Sequence, residues 1–466
     1  MELLNQIPTA MKTILDRRNF LKKTTIAGLS VTLAPGIVFS RNASSRQSSV
    51  SIGFIGVGGH GHHLIDHALK VKDVTVKAIC DIKKENLERG LNMVKKATGR
   101  RPNGYGEHEY IYREMLEKED LDGVIIAAPW RWHIPMAIDA MKSGAYAAVE
   151  AGPASTVKEC WDLVETAEST GLHAMLLENH CYDRWNMAIL NMIRKGVFGE
   201  LLHCHCGYEH DLRGRIVTGK GTGISRKEVA GGDYRTLQNL KRNGDLYPTH
   251  GIGPVSQCLD VHRGNRFTSL VSMSTKSAGL KLWAEENLEA GHPARDFNWQ
   301  MGDIVTTMIR CYNGETVVMN FDTRAPRPYS NMRRVQGTKA IWLQDGNASS
   351  LDKSVIYIEG KSPHHQWEPF ASWQKKYEHP LWQRYRKEGV VGGHRGSGFL
   401  KVRGFIEAIR REERTAIDTY DTAAWKAISP LSEESIEQGS QTVTFPDFTN
   451  RKWMTNKPLF GLTDKY

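Results

Sequence analysis

Three glycines at fixed spacing, Gly56, Gly58 and Gly61, follow directly after the apolar segment Val50–Ile55. In such a G-x-G-x-x-G turn the first glycine allows a tight turn and the second lets the backbone approach a pyrophosphate. The third lets the next helix pack closely against the strand, and the amides at the start of that helix face the phosphate charge. The turn therefore predicts a dinucleotide-binding site.

A carboxylate stands where the ribose of that dinucleotide would lie. Asp81 comes twenty residues after Gly61 and directly follows a second apolar segment, 74–80. A carboxylate at this point accepts hydrogen bonds from a ribose 2′-hydroxyl, whereas it would repel a 2′-phosphate. Lys83 and Lys84 follow Asp81 and could attract a 2′-phosphate. Because Asp81 itself would repel that phosphate, the sequence predicts NAD rather than NADP.

Alternating strands and helices must position these residues. The spacing predicts strands over 50–55, 74–79, 123–127, 145–150 and 174–178, with helices over 85–97, 134–142 and 157–169. This order predicts an α/β fold whose N-terminal domain, 50–180, is a Rossmann doubly wound parallel sheet. Ligands bind such sheets beyond the carboxyl ends of the strands.

The pattern changes after residue 180. Longer and partly alternating segments at 201–208, 267–274, 304–311, 316–323 and 332–343 predict a large, mostly antiparallel, open sheet. An amphipathic helix is predicted over 399–410. Residues 181–466 therefore form the predicted substrate-binding α/β domain.

The first forty residues resemble an export signal rather than part of the fold. Asp16-Arg17-Arg18-Asn19-Phe20-Leu21-Lys22-Lys23 has the twin-arginine pattern, and a mild apolar stretch follows at 24–39. That stretch is too short and too polar to anchor the protein stably in a membrane. The alternative to an export signal is a basic amphipathic N-terminal helix. We expect cleavage of the signal near Ser40 or Ala43, and a linker at 41–49. The protein is then expected to be periplasmic or secreted, with no membrane association once the signal is removed.

Composition excludes several other classes of function. The net charge is +10, but the basic residues are scattered and no nucleic-acid-binding motif accompanies them, so we expect no nucleic-acid partner. The seven cysteines show no paired spacing, so we expect no disulfide framework. The sequence leaves open whether the protein forms a homo-oligomer. His203-Cys204-His205-Cys206 contains zinc-ligand types, but a strand sends the two pairs to opposite faces, so no metal site is predicted.

Two further segments lie where a nicotinamide would bind: APWRWH at 128–133 and EAGP at 150–153. Together with the glycine turn and Asp81, they resemble the glucose–fructose oxidoreductase / inositol dehydrogenase superfamily. Its dehydrogenases typically carry Glu-Lys-Pro after the fourth strand, and that lysine is catalytic. Here Ala151 occupies the position of the lysine, which argues against a simple alcohol dehydrogenase.

The segments NGDLYPTHG at 243–251, RAPRPYS at 324–330 and VQGTK at 335–339 narrow the resemblance. With Trp130 and His133 they resemble glycoside hydrolase family 109, which is known for NAD-dependent α-N-acetylgalactosaminidases, many with twin-arginine signals. The resemblance covers nearly the whole chain after the leader. It implies cofactor contacts from Gly58, Gly59, Asp81, Trp130, Arg131, Trp132, His133, Glu150, Ala151 and Asn179, and sugar contacts from Tyr208, Arg235, Tyr247, Pro248, Thr249, His250 and Tyr329.

The same resemblance implies hydrolysis with bound NAD and no net redox change. Oxidation at the sugar C3 acidifies the C2 proton, the C1 substituent leaves by elimination, water adds, and the hydride returns. His250 is expected to take the C3 hydroxyl proton because a neutral imidazole titrates in the right range. Tyr247 and Tyr329 are expected to polarise sugar oxygens, and Tyr182 is a candidate C2 base.

Several alternatives remain at this point. A net sugar dehydrogenase is the first, and a non-catalytic sugar- or nucleotide-binding protein is the second. The segment 393–399 departs from the acidic, glycine-rich pattern we expect, and the glycine-rich insert 214–232 adds to the pocket rim, so the exact sugar and its anomer stay open. Trp367, Trp373 and Trp382 could stack on sugar, but packing is the expected role.

Overall fold

Among the described residues, six strands form a parallel sheet in the first part of the chain. They are β1 (Val50–Ile55), β2 (Val74–Cys80), β3 (Asn103–Tyr105), β4 (Gly123–Ile126), β5 (Tyr146–Val149) and β6 (Ala174–Leu176). Their spatial order is β3-β2-β1-β4-β5-β6, so the order reverses between β1 and β4. This arrangement confirms the predicted Rossmann sheet and places the glycine turn at the reversal, where such folds bind ligands.

The computed structural model describes residues 49–218, 234–344, 354–389 and 396–465. The predicted export signal at 1–40 lies outside these ranges, and so does the predicted linker apart from Ser49. The helices of the first part are α1 (Gly59–Leu69), α2 (Lys84–Thr98), α3 (Ile111–Lys118), α4 (His133–Lys142) and α5 (Val157–Thr170).

A second sheet of nine described strands dominates the rest of the chain. Each neighbouring pair in it is antiparallel except β7 and β10, which confirms the predicted mostly antiparallel sheet. Its order is β14-β13-β12-β11-β7-β10-β9-β8-β15. The strands are β7 (Leu201–Glu209), β8 (Phe267–Ser274), β9 (Ile304–Cys311), β10 (Thr316–Asp322), β11 (Arg334–Gly337), β12 (Ala340–Gln344), β13 (Ser354–Ile358), β14 (Glu368–Pro369) and β15 (Val443–Thr444).

The single strand predicted over 332–343 is wrong. The chain turns at Thr338 and Lys339, so that β11 and β12 pair with each other as a hairpin. Gly337, directly before the turn, lets the strand approach Phe198 closely, because a Cβ atom there would lie 2.3 Å from the carbonyl oxygen of Phe198. The segment therefore contributes two neighbouring strands to the sheet.

Two C-terminal helices pack against the Rossmann sheet and its helices. α13 (Ser397–Arg411) confirms the predicted helix and lies against α1, whereas α14 (Thr419–Glu437) lies against both α5 and β8. α14 was not predicted because it is buried around most of its surface and lacks a one-sided apolar stripe. The remaining helices are α6 (Arg184–Arg194), α7 (Arg213–Thr218), α8 (Tyr234–Lys241), α9 (Thr249–Cys258), α10 (Gly279–Asn287), α11 (Phe370–Lys376) and α12 (Pro380–Glu388).

Other features of the described chain bear on the sequence expectations. All seven cysteines are buried and free. None of the helices in the described ranges has the length and apolar character needed to cross a membrane. Trp382 is buried and its Nε1 donates to the carbonyl of Tyr182 at 2.9 Å, a packing role as expected, while Trp367 is half exposed.

The start of α14 is held by a buried charge cluster. The guanidinium of Arg263 lies 2.7 Å from the carboxylate of Asp421 and 3.0 Å from that of Asp418, and all three side chains are at most 3% exposed. Asp418 and Asp421 also cap the helix reciprocally. Arg414 also pairs with Asp418, but removing Arg263 would leave Asp421 buried beside a second carboxylate, which is strongly unfavourable.

We therefore expect Arg263→Met to lower the free energy of unfolding by about 3–5 kcal/mol. Denaturant unfolding of the variant and the parent protein measures this directly. Arg310→Met, on an exposed position of β9, is the matched control and should change stability by less than about 0.5 kcal/mol. Equal, small effects for both variants would contradict the assigned role of Arg263.

Candidate active site

The glycine turn has the geometry that a pyrophosphate requires. Gly56 has φ +80°, and a Cβ there would lie 2.7 Å from the backbone nitrogen of Ala128. A Cβ at Gly61 would lie 2.3 Å from the carbonyl oxygen of Gly56, so α1 packs closer than a larger residue would allow. Gly58 caps α1, and a Cβ atom placed there would meet no atom nearer than Nδ2 of Asn86, at 3.8 Å, among the surrounding residues of the described chain. Its backbone is open to approach, and the turn fits a dinucleotide.

Asp81 lies at the end of β2 and is tied to this turn. Its carboxylate accepts hydrogen bonds from the backbone nitrogens of Val57 and Lys83, each at 2.8 Å. These bonds fix the carboxylate beside the glycine turn, at the position predicted for a ribose contact.

The segment after β4 divides between the interior and the surface. Trp130 is buried, and the guanidinium of Arg235 lies 4.6 Å from its ring centroid. His133 begins α4 and is buried, whereas Arg131 is exposed and pairs with Glu109 at 3.3 Å. Trp132 stacks edge-on against Tyr110 at 5.4 Å. Trp130 and His133 are thus the members of this segment that join the interior.

Glu150 follows β5 and is paired with Lys401 and His60. Lys401 of α13 donates to its carboxylate at 2.6 Å and also to the carbonyl of Leu177 at 3.0 Å. His60, from the start of α1, lies 3.3 Å from the same carboxylate. Burial alone would raise the pKa of Glu150, but Lys401 and His60 outweigh it and hold that pKa well below its usual range.

A second buried lysine, Lys426 of α14, supports the same loop from behind. Its ammonium lies 2.9 Å from the carbonyl oxygen of Gly152, 3.3 Å from that of Glu150 and 3.2 Å from Nδ1 of His133. Burial lowers the pKa of Lys426 to about 8. Ala151, which stands where the sequence comparison with dehydrogenases led us to expect a lysine, is buried within this loop. The sequence did not predict the contacts of Lys401 and Lys426 with the loop after β5, because both lysines lie some 250 residues or more beyond that loop.

Aromatic and histidine rings from several elements form a cluster beside Trp130. The ring of Tyr247 lies 4.5 Å from that of Tyr208, 4.8 Å from that of His250 and 5.7 Å from that of Trp130. Tyr329 lies 6.0 Å from Tyr208. Burial raises the pKa of the Tyr208, Tyr247 and Tyr329 hydroxyls, so all three stay protonated and can donate hydrogen bonds. The structure thus brings together most of the predicted sugar contacts.

His250, in the first turn of α9, is paired with a buried carboxylate. Its Nδ1 lies 2.8 Å from Glu178, which follows β6 and has no exposed surface. Burial would raise the pKa of Glu178, but His250 and then His180 outweigh it and lower that pKa to about 2. The ionised carboxylate accepts a hydrogen bond from Nδ1, so the tautomer of His250 with its proton on Nδ1 has Nε2 as a proton acceptor.

A second histidine–carboxylate pair, which the sequence did not predict, faces the first. Nδ1 of His180 lies 2.6 Å from Asp183, and Nε2 lies 3.1 Å from the hydroxyl of Tyr329. The rings of His180 and His250 are 4.5 Å apart and nearly perpendicular. The available signal was the position of Glu178-Asn179-His180 directly beyond a parallel strand, where functional residues collect.

The structure argues against Tyr182 as the C2 base. Its side chain is fully buried in the apolar core, and its ring packs edge-on against Phe460 at 5.0 Å. Tyr182 and Asn179 share the short helical turn Asn179–Tyr182 with His180, but His180 makes the ring contact to His250. This placement favours a packing role for Tyr182. Two further predicted sugar contacts lie at the start of α9. Thr249 is buried in its first turn, and Pro248 caps the helix.

Glu178, His180 and His250 place one ligand atom each within 4.8 Å of one another, a donor set that could hold a metal ion. The pairings of Glu178 with His250 and of His180 with Asp183 already account for this proximity. At 203–206 the strand alternates as expected, with both cysteines fully buried and His203 bonded to Thr316 at 2.9 Å. Residues 219–233 and 390–395, which include most of the insert and His394, lie outside the described residues.

Comparison with known proteins identifies the family. A family model described as "Glycosyl hydrolase 109, C-terminal domain" matches residues 182–455. The chain belongs to glycosyl hydrolase family 109. A second model, an oxidoreductase family with an NAD-binding Rossmann fold, matches residues 50–177. The protein is therefore a glycoside hydrolase that binds NAD and acts on a carbohydrate.

Relatives support this assignment over the full length. The alpha-N-acetylgalactosaminidase of Tannerella forsythia is 43% identical over 472 residues, covering 96% of this chain and 99% of that protein. A glycosyl hydrolase family 109 protein of Parabacteroides distasonis is 41% identical with the same coverage.

Solved structures share the fold. A levoglucosan dehydrogenase in complex with NADH and levoglucosan matches with a TM-score of 0.62 and 18% identity, covering 86% of this chain and 100% of that one. An inositol dehydrogenase homologue from Azotobacter vinelandii, in complex with NAD⁺, matches with a TM-score of 0.62 and 15% identity over the same shares. At these identities the likeness concerns the fold alone.

The buried His133 predicts a pH dependence of stability. Burial, followed by the charge of Lys426, lowers the pKa of His133 from 6.5 to about 3. The unfolded chain therefore binds this proton more readily, and stability is lost as pH falls below about 6.5. Between pH 7 and pH 5 the loss through His133 should be about 2 kcal/mol.

Denaturant unfolding at the two pH values, for the parent protein and His133→Gln, isolates this contribution. Other buried histidines are common to both proteins, so the difference between their pH dependences belongs to residue 133. Identical pH dependences would contradict a buried neutral histidine at this position.

Proposed function

We propose that this enzyme hydrolyses terminal α-linked N-acetylgalactosamine, or a closely related α-linked sugar. The route is oxidation at C3 with bound NAD, elimination at C1, water addition and re-reduction. The name of the Tannerella forsythia relative supports the sugar. The observation that carries the mechanism is the Glu178–His250 pair, which supplies a proton acceptor beside three protonated tyrosines.

Oxidation at C3 and stabilisation of the developing charge are the tasks that we assign to residues of the cluster. When bound, NAD supplies a hydride acceptor for C3 and returns the same hydride at the end. Nε2 of His250 takes the C3 hydroxyl proton, and Glu178 stabilises the imidazolium that forms. Tyr247 and Tyr208 donate hydrogen bonds to sugar oxygens as charge develops, and burial strengthens those bonds.

A net sugar dehydrogenase is the alternative, since the fold is shared with dehydrogenases. The loop after β5 argues against it, because Ala151 stands where their catalytic lysine is expected. Lys401 and Lys426 do not substitute for that lysine, since their ammonium groups are committed to Glu150 and to backbone carbonyls.

We also propose that the protein is exported by the twin-arginine route to the periplasm or beyond. Arg17 and Arg18, followed by Phe20 and Leu21, support this. Since that route carries folded proteins, NAD would be bound before export and regenerated within each turnover. Immunodetection of the wild-type chain and of an Arg17→Lys, Arg18→Lys variant in cell fractions tests the proposal, which predicts retention of the variant in the cytoplasm.

The hydrolase and the dehydrogenase differ in their products. We expect purified protein, without added cofactor, to release the aglycone from an aryl α-N-acetylgalactosaminide, with no stoichiometric NADH at 340 nm. In D₂O the released sugar should carry deuterium at C2. NADH accumulating with substrate would support the dehydrogenase, and hydrolysis without deuterium at C2 would contradict the elimination route.

Two variants locate the base. His250→Ala should lower kcat by about 10²–10⁴-fold, the usual contribution of a general base. Glu178→Gln should also lower kcat, because the amide no longer stabilises the imidazolium. His203→Gln, on the opposite side of β7 from the core, is the control and should keep the parent rate. An unchanged rate in His250→Ala would remove His250 from the mechanism.

We further expect chelation to leave hydrolysis unchanged, because Glu178 is already paired with His250, and His180 is already paired with Asp183. Aglycone release before and after incubation with EDTA and desalting, with NAD present, measures this. Loss of activity that a divalent metal restores would instead make this group a metal site.

A further inference from the structure

The strongest unassigned feature is the second pair, His180 with Asp183, and its contact to Tyr329. We propose that His180 is the proton donor for the departing C1 substituent, and that it acts through the hydroxyl of Tyr329. This assignment rests on the proposed elimination route. It names the acid that the route needs, whereas His250 supplies only the base.

The orientation of Asn331 fixes the direction of the Tyr329 hydroxyl. The side-chain nitrogen of Asn331 donates to the carbonyl of Gly207 at 2.9 Å, since a carbonyl only accepts. The amide oxygen of Asn331 therefore faces Tyr329, whose hydroxyl donates to it at 3.2 Å. A phenol has one proton, so the Tyr329 oxygen is left to accept from Nε2 of His180 at 3.1 Å.

Both ring nitrogens of His180 are then donors. Nε2 donates to Tyr329, and Nδ1 faces the carboxylate of Asp183 at 2.6 Å. A histidine that donates from both nitrogens carries a proton it can give away. Asp183 balances this charge, and its own carboxylate lies 4.0 Å from the buried guanidinium of Arg333.

The two histidines are therefore prepared for opposite tasks. His250 donates through Nδ1 to Glu178 and keeps Nε2 as an acceptor, whereas His180 is held with both nitrogens protonated. Their rings are only 4.5 Å apart. Neighbouring groups whose surroundings favour opposite protonation states are the arrangement that acid–base catalysis requires.

The step balances from the enolate formed at C2 and C3. The enolate oxygen re-forms the C3 carbonyl, the C2–C3 electron pair moves to C1–C2, and the C1–O bond breaks with its electrons on the departing oxygen. The Tyr329 hydroxyl turns from Asn331 to that oxygen and gives it its proton, and Tyr329 takes the Nε2 proton of His180. When water adds to C1 in the reverse sense, its proton returns through Tyr329 to His180.

Leaving-group dependence tests this role. We expect His180→Gln to slow release of methanol from methyl α-N-acetylgalactosaminide by about 10²–10⁴-fold. Release of 4-nitrophenol from the corresponding aryl glycoside should fall by less than about tenfold, because a good leaving group needs little proton donation. Tyr329→Phe and Asp183→Asn should show the same contrast, and His203→Gln should show none.

A second measurement isolates the step and guards against misfolding. Exchange of the C2 proton of free N-acetylgalactosamine in D₂O requires oxidation and proton removal but no leaving-group departure. His180→Gln should keep this exchange near the parent rate. Loss of exchange together with equal slowing of both glycosides would overturn the assignment of His180. If the parent protein releases neither aglycone, the proposed function itself fails.

Discussion

The active site depends on burying one ionised carboxylate. Glu178 follows the last strand of the parallel sheet. Its carboxylate accepts hydrogen bonds from His250 and from the backbone nitrogen of His180, and these bonds offset the penalty of burial. His250 belongs to α9, beside the antiparallel sheet. The pair thus connects the two halves of the chain across 72 residues. It also orients the imidazole that we propose as the base.

Charge placement explains how a dehydrogenase-like fold can serve hydrolysis. In place of a lysine in the loop after β5, Lys401 and Lys426 reach that loop from α13 and α14. Their ammonium groups hold Glu150 and the backbone, so they shape the nicotinamide side of the site instead of exchanging protons. In the proposed mechanism, the two histidines transfer the protons, each paired with its own carboxylate.

Local rules made much of the fold predictable. Strand and helix periodicity gave the parallel sheet, and alternation gave the antiparallel one, because each pattern depends on which side of an element is buried. The predictions failed where that pattern is weak: α14 is buried on most sides, and the hairpin of β11 and β12 depends on the close approach of Gly337 to Phe198. For Tyr182 the sequence could predict a candidate base, but only the packing of the folded chain places its side chain in the apolar core.

The sequence by itself determined the dinucleotide turn, the position of Asp81 and the family, because these depend on short spacings that chain geometry fixes. Tertiary structure decided the chemistry of the histidines. Asn331, Tyr329, His180 and Asp183 form one hydrogen-bonded chain although 148 residues separate Asp183 from Asn331. A histidine becomes an acid or a base through the partners of its two nitrogens, and folding alone selects those partners.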